Sequence, residues 1–329
     1  VGSEFNRILV ETHGRASLLY FFRDDMTAKI AYIFPGQGAQ LVGMGKDFYD
    51  AEPLAKDIFN KANGIVGYDL AKFCFEGPEE ELNSTTISQP AIFTMSVAVL
   101  EVLKAKGTIE PANITAGLSL GEYTALYAAG VFDFESGLKL VQKRGQAMQA
   151  AADASKGSMV SIIGLDQDKT EQLCKEAAEG KLLSCANFNC PGQIVITGDA
   201  DACKRAVALA EKYGAAKAIE LKVAGAFHSA LMAPAAEELK KAIELCEIKP
   251  PADVAVIANV NAEYYKTKEQ ISQGLVRQLT GAVLWQNCME KLLADGVTKF
   301  YEIGPNRVLT GLMKRINRKA EVVNISSVQ

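Results

Sequence analysis

One serine stands where a tight turn would expose it, in Gly117-Leu118-Ser119-Leu120-Gly121. Gly-x-Ser-x-Gly is the spacing of a nucleophile elbow, whose small neighbours let a strand fold sharply into a helix. The free N–H groups and the dipole of that helix start favour negative charge, so the chemistry implied is acyl transfer. The same spacing also suits a plain helix start whose serine only caps it. A serine hydroxyl at neutral pH needs a base. The chain holds two histidines, His13 and His228. Residues 1–25, with Gly2-Ser3-Glu4-Phe5, read as vector-encoded or upstream sequence ahead of a start at Met26. That leaves His228, in Ala226-Phe227-His228-Ser229, as the base. No acidic third member stands in a clear motif, and Asp199 and Asp201 read as solvated loop residues. The run Phe34-Pro35-Gly36-Gln37-Gly38-Ala39-Gln40 fails as a dinucleotide fingerprint at Leu41 and as a phosphate loop at Met44. It suits an oxyanion hole, giving one N–H to join that of the residue after Ser119.

These groups need elements to hold them. Ile30–Phe34 and Ile114–Ala116 read as short apolar strands, each followed by one of the two glycine-rich turns. Helical patterns run from Asp47 to Asn63 and from Gly121 to Ala129, and Ser88-Gln89-Pro90 opens another helix with proline in an early position. The alternation predicts an α/β core with a mostly parallel sheet, α/β-hydrolase-like. Within it, Ser158–Leu165, Leu183–Ala186, Gln193–Thr197 and Ala218–Val223 read as strands. With helices at Lys169–Ala178 and Asp201–Tyr213, they follow the ferredoxin-like order β-α-β-β-α-β. The expectation is a large subdomain from 26–155 and 224–329 with a small one, 156–223, inserted; the alternative is one extended sheet. The remaining chain reads as helices at Glu237–Ile248, Ile271–Leu279, Trp285–Ala294 and Thr310–Arg318, with strands at Val254–Asn259 and Phe300–Ile303.

Composition limits the function classes. The 329 residues are 49% hydrophobic and 22% charged, with a formal net charge of −4, which gives no reason to expect nucleic acid. The longest apolar stretch, around Ala91–Leu103, is short of the roughly 18–20 residues that cross a bilayer, and reads as a buried helix. Seven cysteines with no C-x-x-C pair point to reduced thiols in a reducing compartment.

Seven landmarks follow one another in a single order. They are Phe34-Pro35-Gly36-Gln37-Gly38, Gln89-Pro90, Gly117-Leu118-Ser119-Leu120-Gly121-Glu122, Gln142-Lys143-Arg144-Gly145, Ala226-Phe227-His228-Ser229, Val276-Arg277-Gln278-Leu279 and Glu302-Ile303-Gly304-Pro305. From about Lys29 to Arg318 the chain resembles the malonyl-CoA:acyl carrier protein transacylases of fatty acid synthesis. The resemblance implies that Ser119 receives a malonyl group and His228 is its base, oriented by the backbone carbonyl of Gln278. It implies an oxyanion hole from the N–H groups of Gln37 and Leu120. Arg144 would hold the malonyl carboxylate, a planar match that lysine lacks, with Gln89 and Phe227 in the same pocket. Taken alone, Arg144 reads as a solvated helix arginine. Leu118 departs from the pattern, since many members carry histidine there.

The implied substrates are the coenzyme A thioester and acyl carrier protein, with no bound cofactor, no metal, no nucleic acid and no membrane. Lys314, Arg315, Arg318 and Lys319 are candidates to meet an acidic carrier, or simply a solvated helix end. The expected form is a soluble monomer of the bacterial cytosol or an organelle stroma or matrix. Rival readings are a serine esterase or thioesterase, an inactive carrier-binding module, and an acyltransferase domain of a polyketide-type synthase.

Overall fold

The computed structural model describes residues 29–328; the segment 1–25, the start at Met26 and His13 lie outside the described residues. The chain enters through β1 (Lys29–Phe34) and continues into α1 (Lys46–Ala51), α2 (Pro53–Val66), α3 (Leu70–Glu76), α4 (Glu79–Asn83) and α5 (Thr85–Lys106). The single helix expected over Asp47–Asn63 is thus two, broken at Glu52 because Pro53 cannot continue a helix but starts one well. Pro90 lies inside α5 rather than near its start. Its missing N–H frees the carbonyl of Thr86, which accepts from the Tyr68 hydroxyl at 3.3 Å. α5 is 22 residues long, which corrects the short span expected for the apolar stretch, and it is apolar enough to cross a membrane by length and composition. Every residue from Ser88 to Leu100 is buried in the core, where α5 packs on α2 and on a later helix.

Next come β2 (Ile114–Gly117), α6 (Gly121–Ala128) and α7 (Phe134–Asp153), the last a helix to which the sequence reading assigned Arg144 without giving it bounds. The small sheet follows as β3 (Gly157–Ile163), α8 (Gln167–Ala178), β4 (Leu183–Cys190), β5 (Gln193–Asp199), α9 (Ala200–Leu209) and β6 (Lys217–Glu220). The chain then returns through α10 (Ala233–Glu244), β7 (Ala255–Val256), α11 (Lys268–Thr280), α12 (Trp285–Ala294), β8 (Val297–Ile303), α13 (Val308–Ile316) and β9 (Glu321–Ile325). β9 is a further strand that the sequence pattern did not reveal.

The five-stranded sheet has the order β7-β2-β1-β8-β9 and every pairing is parallel. Alternate residues of β1 serve two cores. Tyr32 and Phe34 join the cluster with α5 and α7, while Ala31 and Ile33 join Trp285, Leu309 and Met313 on the opposite face. The second sheet runs β4-β5-β3-β6, wholly antiparallel, which is the ferredoxin-like order. Its helices α8 and α9 cover one face through Leu173, Ala177 and Ala206. The uncovered face presents Met159 and Val195 to the large core. The edge strand β4 is stitched to the chain ahead of α12, with Val283 N–H donating to the Ala186 carbonyl at 2.8 Å.

Candidate active site

Ser119 follows β2 and precedes α6 at φ 50°, a left-handed conformation that is strained for any residue with a side chain. Close packing makes the turn possible. A Cβ on Gly117 would lie 1.9 Å from the Gly121 carbonyl oxygen, and one on Gly121 would lie 2.1 Å from that of Phe34. Asn259 clasps the turn across the sheet edge. Its side-chain oxygen accepts from Ser119 N–H at 2.7 Å, and its side-chain amide donates to the Gly117 carbonyl at 2.8 Å. β7 ends at Val256, short of the expected Asn259; Ile257 N–H still donates to the Thr115 carbonyl at 3.2 Å before the chain reaches Asn259 beside the elbow.

His228 is buried and also left-handed, at φ 58°. Its loop is tied to the small sheet, where the Thr197 hydroxyl donates to the Phe227 carbonyl at 2.8 Å. Nδ1 lies 2.7 Å from the backbone carbonyl of Gln278, and Nε2 lies 2.8 Å from Ser119 Oγ. A carbonyl only accepts, so Nδ1 carries the proton and Nε2 is left to receive one from the serine. Burial, then the charge of Arg144, hold the imidazole down at about 4, against the opposing pull of the Gln278 carbonyl. It is therefore neutral at pH 7.

Arg144 is fully buried on α7, so the reading of a solvated helix arginine does not hold. Its acceptors are all uncharged: Gln89 Oε1 at 2.7 Å, Gln278 Oε1 at 2.9 Å and Ser119 Oγ at 3.0 Å. Its Nε–H has no acceptor among the described residues. Burial lowers its pKa from the ordinary arginine value, and Tyr123 and then Glu122 counter that. The N–H groups of Gln37 and Leu120 likewise donate to no protein acceptor among the described residues.

Ser119, His228, Arg144, Phe227 and Gln37 line one cleft of about 460 Å³ between the two sheets. Met159 and Val195 form its small-sheet wall, and Leu118 lies half-buried beside the serine. Gln89 and Gln278 stand behind it, both buried. Asp199 ends β5 and accepts from Leu182 N–H at 3.0 Å, so it is not the solvated loop residue expected.

Three residues of this network carry no role in the sequence reading. Glu122 accepts from Tyr265 at 2.5 Å and from the Gln278 side-chain amide at 2.6 Å. It was legible as part of a motif, though not as a buried acid. Asn259 had a weak signal, a polar residue ending an apolar strand; Tyr265 had none. Of the basic candidates, Arg315 is engaged with the β4–β5 turn, donating to Pro191 O at 2.9 Å and Gln193 Oε1 at 2.8 Å.

The family model described as acyl transferase domain matches residues 31–328. A malonyl CoA-acyl carrier protein transacylase of Bacillus subtilis is 47% identical over 300 residues, 91% of this chain and 94% of that protein. The crystal structure of an acyl carrier protein S-malonyltransferase from Vibrio cholerae is 44% identical with a TM-score of 0.87, covering 92% of this chain and 98% of that one. A solved complex of a type II PKS acyl-carrier protein with its malonyl-transacylase gives 42% identity and a TM-score of 0.88, over 92% and 97% of the chains.

Proposed function

The chain belongs to the acyl transferase domain family, and from that premise we infer that it carries malonyl groups from coenzyme A to acyl carrier protein for fatty acid synthesis. One observation supports this above the rest. The nucleophile Ser119 Oγ sits between a neutral imidazole at 2.8 Å and a buried guanidinium at 3.0 Å that has no charged acceptor. A simple esterase has no use for such a cation, whereas an acyl group ending in a carboxylate does.

The transfer runs in two halves. Ser119 Oγ attacks the thioester carbonyl as its proton passes to His228 Nε2, and the oxyanion is held by the N–H groups of Gln37 and Leu120. Each such donor contributes roughly 10²–10³ in turnover. The C–S bond breaks, coenzyme A leaves with the proton from Nε2, and a malonyl ester stays on Ser119. The carrier's phosphopantetheine thiol then gives its proton to His228, attacks the ester and takes the malonyl group. The Gln278 carbonyl holds the imidazole in one tautomer and stabilises the imidazolium. A malonyl carboxylate on Arg144 offsets the second of the two effects that hold His228 down at about 4, so the right substrate strengthens the base. Gln89 fixes the guanidinium, and Phe227 lines the cleft.

The same reading takes the active unit as a soluble monomer without metal or redox cofactor, in a bacterial cytosol or an organelle interior. The division into 26–155 with 224–329 and an inserted 156–223 belongs to the same reading: the cleft lies where the two sheets face each other.

The test is intact-protein mass spectrometry after mixing with malonyl-CoA or acetyl-CoA, with and without carrier. The expected result is a malonyl adduct on Ser119 that is discharged only when the carrier is added. Arg144→Ala should lose malonylation by about 10²-fold or more, the scale of a buried charged contact, while keeping acetylation. Rapid release of free malonate without carrier would make the protein a hydrolase, and equal loss of both acyl groups would make Arg144 structural.

A further inference from the structure

Glu122 takes no part in the transfer just described, yet its carboxyl is fully buried at the centre of the network. Oε1 accepts from Tyr265 at 2.5 Å, and Oε2 from the Gln278 amide at 2.6 Å and from Asn259 N–H at 3.3 Å. Gln278 is the relay. Its side-chain oxygen holds Arg144 Nη2 at 2.9 Å, and its backbone carbonyl faces His228 Nδ1 at 2.7 Å. A single residue, through its side-chain amide and its backbone carbonyl, therefore links one carboxylate to both the guanidinium and the base. Above about pH 7, where the Glu122 carboxyl is ionised, Arg144⁺ and Glu122⁻ balance and His228 is neutral. A malonyl carboxylate on Arg144 adds a second anion to a buried site that holds one cation.

We propose that Glu122 is the counter-charge of Arg144 in the free enzyme and takes a proton from solvent when an acyl group bearing a carboxylate docks, whereas an uncharged acyl group docks without one. Glu122 is thus a positioning residue that acts through Gln278. The inference rests on the reading of Arg144 as the carboxylate's partner.

The geometry accommodates the proton. Placed on Oε1, it meets the Tyr265 hydroxyl, which rotates from donor to acceptor, while Oε2 keeps both of its N–H donors. Burial already holds the Glu122 carboxyl up at about 7, despite Tyr265, Gln278, Asn259 and the charge of Arg144. The groups facing it are Arg144 from α7, Tyr123 from its own helix, Tyr265 ahead of α11 and Cys288 from α12. Burial pushes both tyrosines and the thiol upward, and His228 sits at about 4. Glu122 is accordingly the member of this cluster that changes charge between about pH 6 and 9.

A glutamine at this position has the shape and charge of the protonated acid, with its oxygen toward Gln278 and its amide toward Tyr265. The experiment measures KM for acylation of Ser119 by malonyl-CoA and by acetyl-CoA, read as coenzyme A release without carrier, from about pH 6 to 9. In the wild type the malonyl KM should rise above a break near neutrality, approaching tenfold per pH unit for one proton taken up. The acetyl KM should stay flat. Glu122→Gln should flatten the malonyl profile and, at about pH 8.5, lower its KM roughly tenfold below wild type. Tyr265→Phe keeps the carboxyl but removes a donor to its charged form, so the malonyl break should move to higher pH. A Glu122→Gln protein with the wild-type malonyl slope, or an acetyl slope equal to the malonyl one, overturns the proposal. If Glu122→Gln does not fold, an unmoved break in Tyr265→Phe overturns it instead. A wild type that is never malonylated at any pH refutes the function proposed above, a different signature.

Discussion

Two carboxylates lie fully buried at the same end of the parallel sheet, and they are held in opposite ways. Glu302, near the end of β8, accepts from Leu309 N–H at 2.7 Å, Thr310 N–H at 2.8 Å, the Thr310 hydroxyl at 2.6 Å and the Asn324 amide at 3.2 Å. Two of these donors are free N–H groups of the first turn of α13, where the helix dipole also favours an anion. Glu302 therefore ties β8, α13 and β9 into one unit. Glu122 has a hydroxyl, one side-chain amide and one long backbone contact, with no helix start aimed at it. A carboxylate anchored on two fixed backbone N–H groups of a helix start works as a structural pin. One held by rotatable or shared donors can respond to what enters the cleft.

The largest effect that tests this contrast is Glu302→Ala. It strands several buried donors and uncaps a helix, which should cost about 3–5 kcal/mol in urea denaturation. Glu122→Gln keeps its donors' main acceptor and should cost far less; equal losses would erase the distinction.

A smaller effect is expected in stability against pH. His228 is lowered from 6.5 to about 4, so its contribution is present above pH 6.5 and is lost as pH falls toward 4. Glu122 is raised from 4.5 to about 7, so its contribution is present below pH 4.5 and is lost as pH rises through 7. The two slopes oppose each other across the overlap and should leave the wild type nearly flat there. Glu122→Gln removes one slope, and its stability should fall on acidification from pH 6.5 by an amount on the order of 3 kcal/mol. A flat profile in that variant would mean that Glu122 and His228 do not titrate as described.

The smallest effect belongs to Arg315→Ala. Its bonds to Pro191 and Gln193 are solvent-exposed and should contribute about 1 kcal/mol or less in thermal melts. A loss rivalling that of Glu302→Ala would mean that exposure does not separate these contacts as argued.

Much of the candidate site was legible in the sequence. Ser119 could be read because an elbow is a local event, written in five consecutive residues. His228 could be reached because no other histidine lay in the expected fold. The small sheet's β-α-β-β-α-β order came through because its strands alternate clearly with helices. Other features depended on distant partners. Pro90 sits inside α5 with Tyr68 reaching the freed carbonyl, and Asn259, just past β7, spends its side chain on the Ser119 turn. Arg144 in Gln-Lys-Arg-Gly looks like any helix arginine, and Arg315 like any member of a basic run.

The sequence by itself determined the turn chemistry: which serine could be exposed, which loop could offer N–H groups, and that Arg144 and Gln278 fit one family's pattern. Tertiary structure decided the charges. Burial is a property of everything packed around a residue, so only the fold could turn Arg144 into a buried cation. It likewise left His228 neutral on a carbonyl rather than an acid, and linked Glu122 to both through the one residue Gln278.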